Sequence, residues 1–278
     1  MRREQRVTPM GINAVQAKSI LNKTGIPGFG YAINPYVGCV HGCVYCYARF
    51  MKRLTGHTER WGTFLDAKIN AREVLKLQLE RRKRPIEEVV FLSSVTDPYL
   101  PAESKMQLTR GILEVLLEYQ VPISILTKSD LVIRDIDLLR QFKECSVGLS
   151  LMTVDEMLAR RFEPHAPSPM RRIEALRGLK ANNIYTYAFI SPYLPRLSHI
   201  ERLMEALDGV IDEVGVEALN TKEASWWGVQ RVLTHYYPAL LPGFRQLCRG
   251  SSFWINLTRR TRRLAREMDL TFTGLHRH

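Results

Sequence analysis

The chain lacks any apolar run approaching the roughly 20 residues that a membrane helix needs, so nothing in it predicts a membrane-spanning protein or a membrane partner. Its first residues, Met1-Arg2-Arg3-Glu4-Gln5-Arg6, lack the apolar stretch of an export signal, and a cytoplasmic protein is the expectation. Cysteine is scarce, with five residues in 278, too few for a disulfide scaffold. No repeat of the length used by solenoids and no low-complexity tract occurs. Hydrophobic residues at 45% and charged residues at 24% are ordinary for a globular chain and exclude wholesale disorder. Acid is also short: 28 Asp and Glu face 40 Lys and Arg, for a net charge of +12. The imbalance is local. Residues 1–53 hold eight bases and one acid, residues 251–278 six and two, and residues 54–250 hold 26 and 25. Positive charge concentrated at the two ends suits a polyanion such as nucleic acid. A soluble basic enzyme has the same composition.

What is present is an alternation. Residues 1–30 form a basic extension ending in Gly25-Ile26-Pro27-Gly28-Phe29-Gly30, a loop-like entry. β-branched and apolar runs then predict strands at Tyr31–Val37, Glu88–Val95, Pro122–Thr127, Ser146–Met152, Ile184–Ile190 and Glu213–Ala218, the fifth stopped by Ser191-Pro192. Helical spacing predicts helices at Ala67–Arg82, Leu108–Tyr119, Asp135–Phe142, Pro169–Asn182 and Ile200–Val210. Six strands separated by helices predict an α/β fold, a parallel sheet or partial barrel over 31–220, with chemistry at the C-terminal strand ends. Residues 221–278 break the rhythm and predict a helical, basic and aromatic cap carrying Trp226, Trp227, Trp254, Tyr236-Tyr237 and Arg259-Arg260-Thr261-Arg262-Arg263.

Three of the five cysteines, Cys39, Cys43 and Cys46, lie within eight residues in Gly38-Cys39-Val40-His41-Gly42-Cys43-Val44-Tyr45-Cys46-Tyr47. In a reducing compartment, clustered thiols read as metal-binding or catalytic. A structural zinc site needs four closed ligands, usually two pairs. Cys43 and Cys46 make one pair, Cys145 and Cys248 are isolated, and His41 or His57 would have to complete the set. An iron–sulfur cluster fits the spacing better, because a thiolate loop wraps one face of a cube and three ligands leave one iron open. A pure electron carrier, which needs a closed four-cysteine cluster, fits worse.

Cys-x3-Cys-x2-Cys after the first strand, with an aromatic before the last Cys, resembles the signature of the radical SAM enzymes. Asn34–Arg49, Thr96-Asp97-Pro98-Tyr99-Leu100-Pro101-Ala102-Glu103, Leu126-Thr127-Lys128-Ser129 and Glu163-Pro164-His165-Ala166-Pro167-Ser168-Pro169, in that order, are similar to its spore photoproduct lyase-like branch. The resemblance implies a partial (β/α)6 TIM-type barrel. It implies a [4Fe–4S] cluster on Cys39, Cys43 and Cys46 with S-adenosylmethionine at the open iron. It also implies reductive cleavage of that cofactor, hydrogen abstraction from a substrate, and a flavodoxin- or ferredoxin-like electron donor.

It further places Tyr45 against the adenine, Thr96 and Asp97 near the methionine amine where the superfamily often has Gly-Gly-Glu, and Lys128 and Ser150 near the methionine carboxylate. Tyr45 and Tyr47 are candidate members of a radical relay. His41, inside the loop, is a candidate shield of the cluster, and Arg161, Glu163 and His165 are candidates to reach the ribose or substrate. Plainer alternatives stand beside these: packing for Tyr45, a turn for Thr96-Asp97-Pro98, a solvated strand-end Lys128, a solvated loop His41, and a surface cluster for Arg161, Glu163 and His165. Spore photoproduct lyase returns hydrogen from a cysteine after the second strand. Ser93-Ser94-Val95-Thr96-Asp97 has no thiol, and an alcohol O–H is too strong to replace it, so thymine-dimer repair by that route is not expected. The substrate stays open between nucleic acid and a small molecule or peptide. The alternative outside catalysis is a nucleic-acid-binding protein with a structural zinc or iron–sulfur site.

Overall fold

The computed structural model describes residues 11–277, apart from the side chains of residues 223 and 224; the basic start Met1–Arg6 lies outside the described residues. In chain order the strands are β1 (Ile12–Val15), β2 (Leu21–Lys23), β3 (Tyr31–Ile33), β4 (Tyr36–Val37), β5 (Leu65–Lys68), β6 (Val90–Leu92), β7 (Ile123–Thr127), β8 (Cys145–Ser150), β9 (Tyr185–Tyr193), β10 (Glu213–Ala218) and β11 (Thr271–His276). β3 and β6 to β10 are the six expected strands, side by side and parallel in sequence order. β2 adds to one edge antiparallel to β3, and β11 adds to the other parallel to β10. A small second sheet has the order β1-β5-β4.

The main sheet is apolar because both its faces are covered. Ile33, Val90, Leu92, Ile123, Ile125, Val147, Leu149, Ile190, Val214 and Val216 are all buried in one core, the continuous hydrophobic reading that parallel strands give. Helices Ala71–Glu80, Leu108–Glu118, Pro169–Ala181 and Ile200–Leu207 each turn one apolar face to that core, including Leu75 and Leu79, Ile112 and Leu116, Ile173 and Leu176, and Leu203 and Leu207. The Pro169–Ala181 helix starts where the sequence says. Ser168 Oγ accepts from the Arg171 amide, and Pro169 fills the first turn, where no N–H partner is needed.

Several boundaries differ from expectation, each through a long-range contact. The run Tyr31–Val37 is two strands, split at Asn34-Pro35, with the second half in the other sheet. Residues 65–68 are strand rather than helix, because Leu65–Lys68 pairs with both β1 and β4. The helix begins only at Ala71, beyond Asn70, whose side chain bonds both the amide and the carbonyl of Ala17. Ser191-Pro192 does not stop β9. The strand passes through it to Tyr193, and a shift in the β9–β10 register absorbs the irregularity. The cap is helical over Glu223–Tyr236, Leu241–Arg249 and Ser251–Glu267, then returns to the sheet as β11. Trp254, Leu257 and Ala265 join the barrel's own core. No helix among the described residues is long and apolar enough to cross a membrane.

Candidate active site

Parallel strands deliver their C-terminal ends to one rim. Ile33, Leu92, Thr127, Ser150, Tyr193 and Ala218 end there, and the cysteine loop follows β4 on the same side. The loop is anchored by its backbone. The Val44 amide donates to the Phe162 carbonyl at 2.9 Å, and the His165 amide donates to the His41 carbonyl at 3.3 Å. Arg49 donates to the carbonyls of Cys43 and Val44 at 2.9 and 3.0 Å. Gly42 turns the loop with φ +64, and a Cβ built on the facing Gly62 would lie 2.8 Å from Gly42 Cα, so the two segments touch through bare backbone. Cap helix Glu223–Tyr236 closes on the loop through Gly228, which lies against the Val44 carbonyl.

All five cysteines are free, and of the three in the loop Cys43 is buried while Cys39 and Cys46 are half-buried. Burial pushes all three thiols up: Cys43 to about 12, despite Lys128 nearby, and Cys39 well above its ordinary value, with Asp97 and the other two loop thiols adding to the effect. The Trp61 indole N–H has no oxygen or nitrogen partner and favours ionisation of Cys46 beside it. Cys145 starts β8, at the opposite end of the sheet, and Cys248 is buried in the cap, where its carbonyl accepts from Trp254 Nε1 at 2.7 Å.

The strand-end residues named from sequence meet around this loop. Thr96 Oγ1 donates to the Gly38 carbonyl at 2.5 Å, pinning the loop's start to the segment after β6. Asp97 is fully engaged: Oδ1 accepts from Thr127 Oγ1 and the Tyr99 amide, while Oδ2 accepts from the Lys128 amide at 2.8 Å and lies 3.2 Å from His41 Nε2. Burial raises its carboxyl pKa, but His41, Thr127 and the Lys128 amide outweigh that and hold it down to about 2. Lys128 Nζ donates to Ser150 Oγ at 2.9 Å and lies 3.8 Å from Glu163 Oε1. Its ammonium also stands 5.8 Å over the Tyr45 ring. Tyr45 donates its hydroxyl to Glu163, and Tyr47, half exposed, donates to the Ser94 carbonyl across the mouth.

Around this loop sequence reasoning gave no role to Arg172 and Ser93, and weighed His41 and Glu163 as site residues only beside plainer readings. His41 is not a solvated loop residue; it is 1% exposed and paired with Asp97. Glu163 is not part of a surface cluster; it is buried among Tyr45, Lys128 and Arg172. Arg172 lies within the expected helix Pro169–Asn182 and had no role assigned to it. Its guanidinium is buried 2.6 Å from Glu163 and donates to the carbonyls of Ser150 and Pro167. Ser93, at the end of β6, holds φ +73 with its hydroxyl buried and unpartnered, the strained backbone and unmet polar group that mark a ligand-facing strand end. Only His41 and Glu163 had a sequence signal, their place inside the quoted motifs.

A family model described as the Radical SAM superfamily matches residues 33–208. An uncharacterised protein of Methanocaldococcus jannaschii is 39% identical over 208 residues, 75% of this chain and 77% of its own length. The Radical SAM Nalpha-GlyT isomerase of Pseudomonas phage M6 is 28% identical over 191 residues, 66% of this chain and 38% of its own. Among solved structures, spore photoproduct lyase complexed with dinucleoside spore photoproduct superposes with a TM-score of 0.63 at 16% identity, covering 94% of this chain and 81% of that one. At that identity the likeness is one of fold.

Proposed function

The chain belongs to the radical SAM superfamily, and on that premise we propose that it abstracts hydrogen from a substrate at the strand-end mouth, with Cys39, Cys43 and Cys46 as the protein ligands of a [4Fe–4S] cluster. Membership makes it an enzyme and displaces the non-enzymatic binding protein. When bound, the cluster and S-adenosylmethionine supply one-electron reduction and a carbon radical, chemistry that no side chain has.

The observation that carries the reading is the set of three free thiols on one glycine-turned loop, closed in by the strand ends and cap. Among the described residues no three Cys, His, Asp or Glu side chains form a single-ion site. A cubane gives each thiolate its own iron, so it suits thiols spread along a loop better than one zinc ion does. The donor set agrees. Glu163 and Asp97 are already balanced by Arg172 and Lys128, so three thiolates there require positive charge from iron.

The other residues hold and orient. Lys128 and Ser150 present an ammonium and a hydroxyl side by side, the donors a methionine carboxylate takes. Ser93 and Thr96 flank the place for its amine. Asp97, with both oxygens engaged, acts on the cofactor through Lys128 and His41, which it fixes. Tyr45, locked to Glu163, offers a ring face to the adenine. Tyr47 is the tyrosine exposed at the mouth, where a relay would meet substrate. No thiol follows β6, so the reading does not extend to hydrogen return by cysteine. An external one-electron donor of flavodoxin or ferredoxin type completes the cycle.

Anaerobic reconstitution followed by chromatography for 5′-deoxyadenosine, with S-adenosylmethionine and dithionite, tests the proposal. Wild type is expected to bind about four irons per chain and form product, and Cys43→Ala neither. A colourless wild type that retains zinc and takes up no iron would overturn it.

A further inference from the structure

Outside the buried network, on the same rim of the sheet, lies a cavity of about 130 Å³. Thr153 and Asp155, just past the end of β8, form one wall; Arg196, His199 and Arg202, just past the end of β9, form another; Tyr237 closes it from the cap. The three basic side chains are exposed. Among the described residues none of them has a carboxylate partner, whereas Arg160, Arg171 and Arg260 are paired with Glu156, Asp130 and Glu201. The one acid, Asp155, already uses Oδ1 to cap the Glu156–Phe162 helix at the Leu158 amide. A further cation stands behind Tyr237: Arg161 donates to its hydroxyl at 2.6 Å and lies 4.3 Å over the Tyr236 ring.

Unpaired guanidinium groups gathered around a cavity repel one another, and an anion relieves that repulsion. Their planar forks match the oxygens of a phosphoryl group in spacing and direction. His199 makes no side-chain cap for the Ile200–Leu207 helix, so its ring is not committed to that helix's amides. We infer that this cavity, between Arg196, His199 and Arg202, anchors a phosphoryl group of the substrate. Its orienting role rests on the mouth being the reaction site. Thr153 is three residues from Ser150 and Arg196 three from Tyr193, so the backbone of either wall lies within about 10 Å of the strand ends. A neighbouring sugar, base or ester would then reach the mouth. The phosphate comes from a nucleic-acid backbone or from a free phosphate ester.

Fluorescence anisotropy of the full chain without iron, with a fluorescein-labelled single strand of about 12 nucleotides, tests this independently of radical chemistry. Arg196→Gln with Arg202→Gln is expected to weaken binding about tenfold at 0.15 M salt and to flatten the log–log salt dependence by about 1.4. Thermal melting verifies that the double variant is folded. Competition identifies the source. Adenosine monophosphate displacing the strand at comparable concentration means a free ester, and displacement only by unlabelled strand means a polymer; either supports the site. Unchanged binding by the variant, no binding of any phosphate-bearing probe, or loss that follows Arg259→Gln with Arg262→Gln instead would overturn it. If 5′-deoxyadenosine forms while phosphate binding fails, the anchor is wrong and the reaction class stands.

Discussion

Three glycines inside helices are expected to respond to alanine with opposite signs. An interior Gly→Ala change gains about 0.8–1 kcal/mol of helix propensity when the new methyl group has room. At Gly111, in Leu108–Glu118, a Cβ meets only the Arg72 side chain, no nearer than 3.5 Å. At Gly178, in Pro169–Ala181, it meets Ile133 Cδ1 at 3.8 Å. Both variants should therefore melt higher, by roughly 2–4 °C. At Gly228, in Glu223–Tyr236, the Cβ falls 2.0 Å from the Val44 carbonyl oxygen and 2.8 Å from its carbon. Relief to an ordinary carbon–oxygen contact of about 3.3 Å needs a retreat of more than about 1 Å. Val44 cannot retreat freely: it lies between Cys43 and Tyr45, its amide bonds Phe162, and its carbonyl holds Arg49. Overpacking of this kind costs about 1–3 kcal/mol, more than the propensity gain. Gly228→Ala should thus melt lower and, because the cysteine loop moves, retain less iron after reconstitution. Circular dichroism melting of the iron-free protein and an iron assay of the reconstituted protein read the two effects separately. A Gly228→Ala protein that melts as high as the other two variants and binds iron like wild type would refute the packing argument.

Glu163→Gln leaves the buried Arg172 and Lys128 without their counter-charge and should cost about 3–5 kcal/mol; adding Arg172→Met should cost less than the sum of the two singles, measured as urea midpoints in a double-mutant cycle. Trp254→Ala removes a side chain 1% exposed that joins the cap to the barrel core. It should cost about 3–5 kcal/mol in one cooperative transition, and a separate low-stability phase for the cap would contradict the shared core. Partial burial raises the Asp212 carboxyl, but Lys180 and the amide and hydroxyl of Thr186 outweigh it and leave the pKa below the usual range. A depressed folded-state pKa means stabilisation present above the ordinary carboxylate range and lost as pH falls through the folded value. Wild type should therefore melt above Asp212→Asn at neutral pH and converge with it as pH falls through the depressed folded-state pKa; a gap that persists in acid would point to packing instead of charge.

The six parallel strands were legible because each is buried on both faces, which writes an apolar run into the sequence that local reading detects. Strands formed by pairing alone were not. Leu65–Lys68 has no period of its own and is a strand because β1 and β4 flank it. Thr271–His276, half exposed, is a strand because β10 offers an edge. The site divides in the same way. Cysteines at close spacing and charged residues just past strand ends announce themselves. Arg172 does not, because an arginine among helical polar residues looks alike whether it meets water or a buried carboxylate. Ser93 is quieter still, since its φ and its missing partner exist only in the folded chain.

The rim of the sheet solves two electrostatic problems in two ways. Within the cysteine pocket the fixed charges match: the carboxylates Asp97 and Glu163 stand against Lys128 and Arg172. Buried ions are stable only when paired, and a pocket so balanced keeps its thiols protonated until a positive centre arrives. At the edge, past β8 and β9, Arg196 and Arg202 stand in solvent without a carboxylate partner among the described residues. Unpaired cations are tolerated there because water screens them, and they remain available to an anion. An unpaired cation inside the pocket would suffer desolvation and bind any stray anion where the cofactor belongs. A paired cation at the edge would offer an incoming phosphate only an exchange of partners. On the proposed reading, the division puts the redox chemistry where charge is cancelled and substrate capture where it is not. Placing a carboxylate at the edge, as in His199→Glu at an exposed side chain, should weaken capture of a phosphate-bearing strand while leaving iron binding unchanged. Loss of iron in that variant would show that the two regions are one.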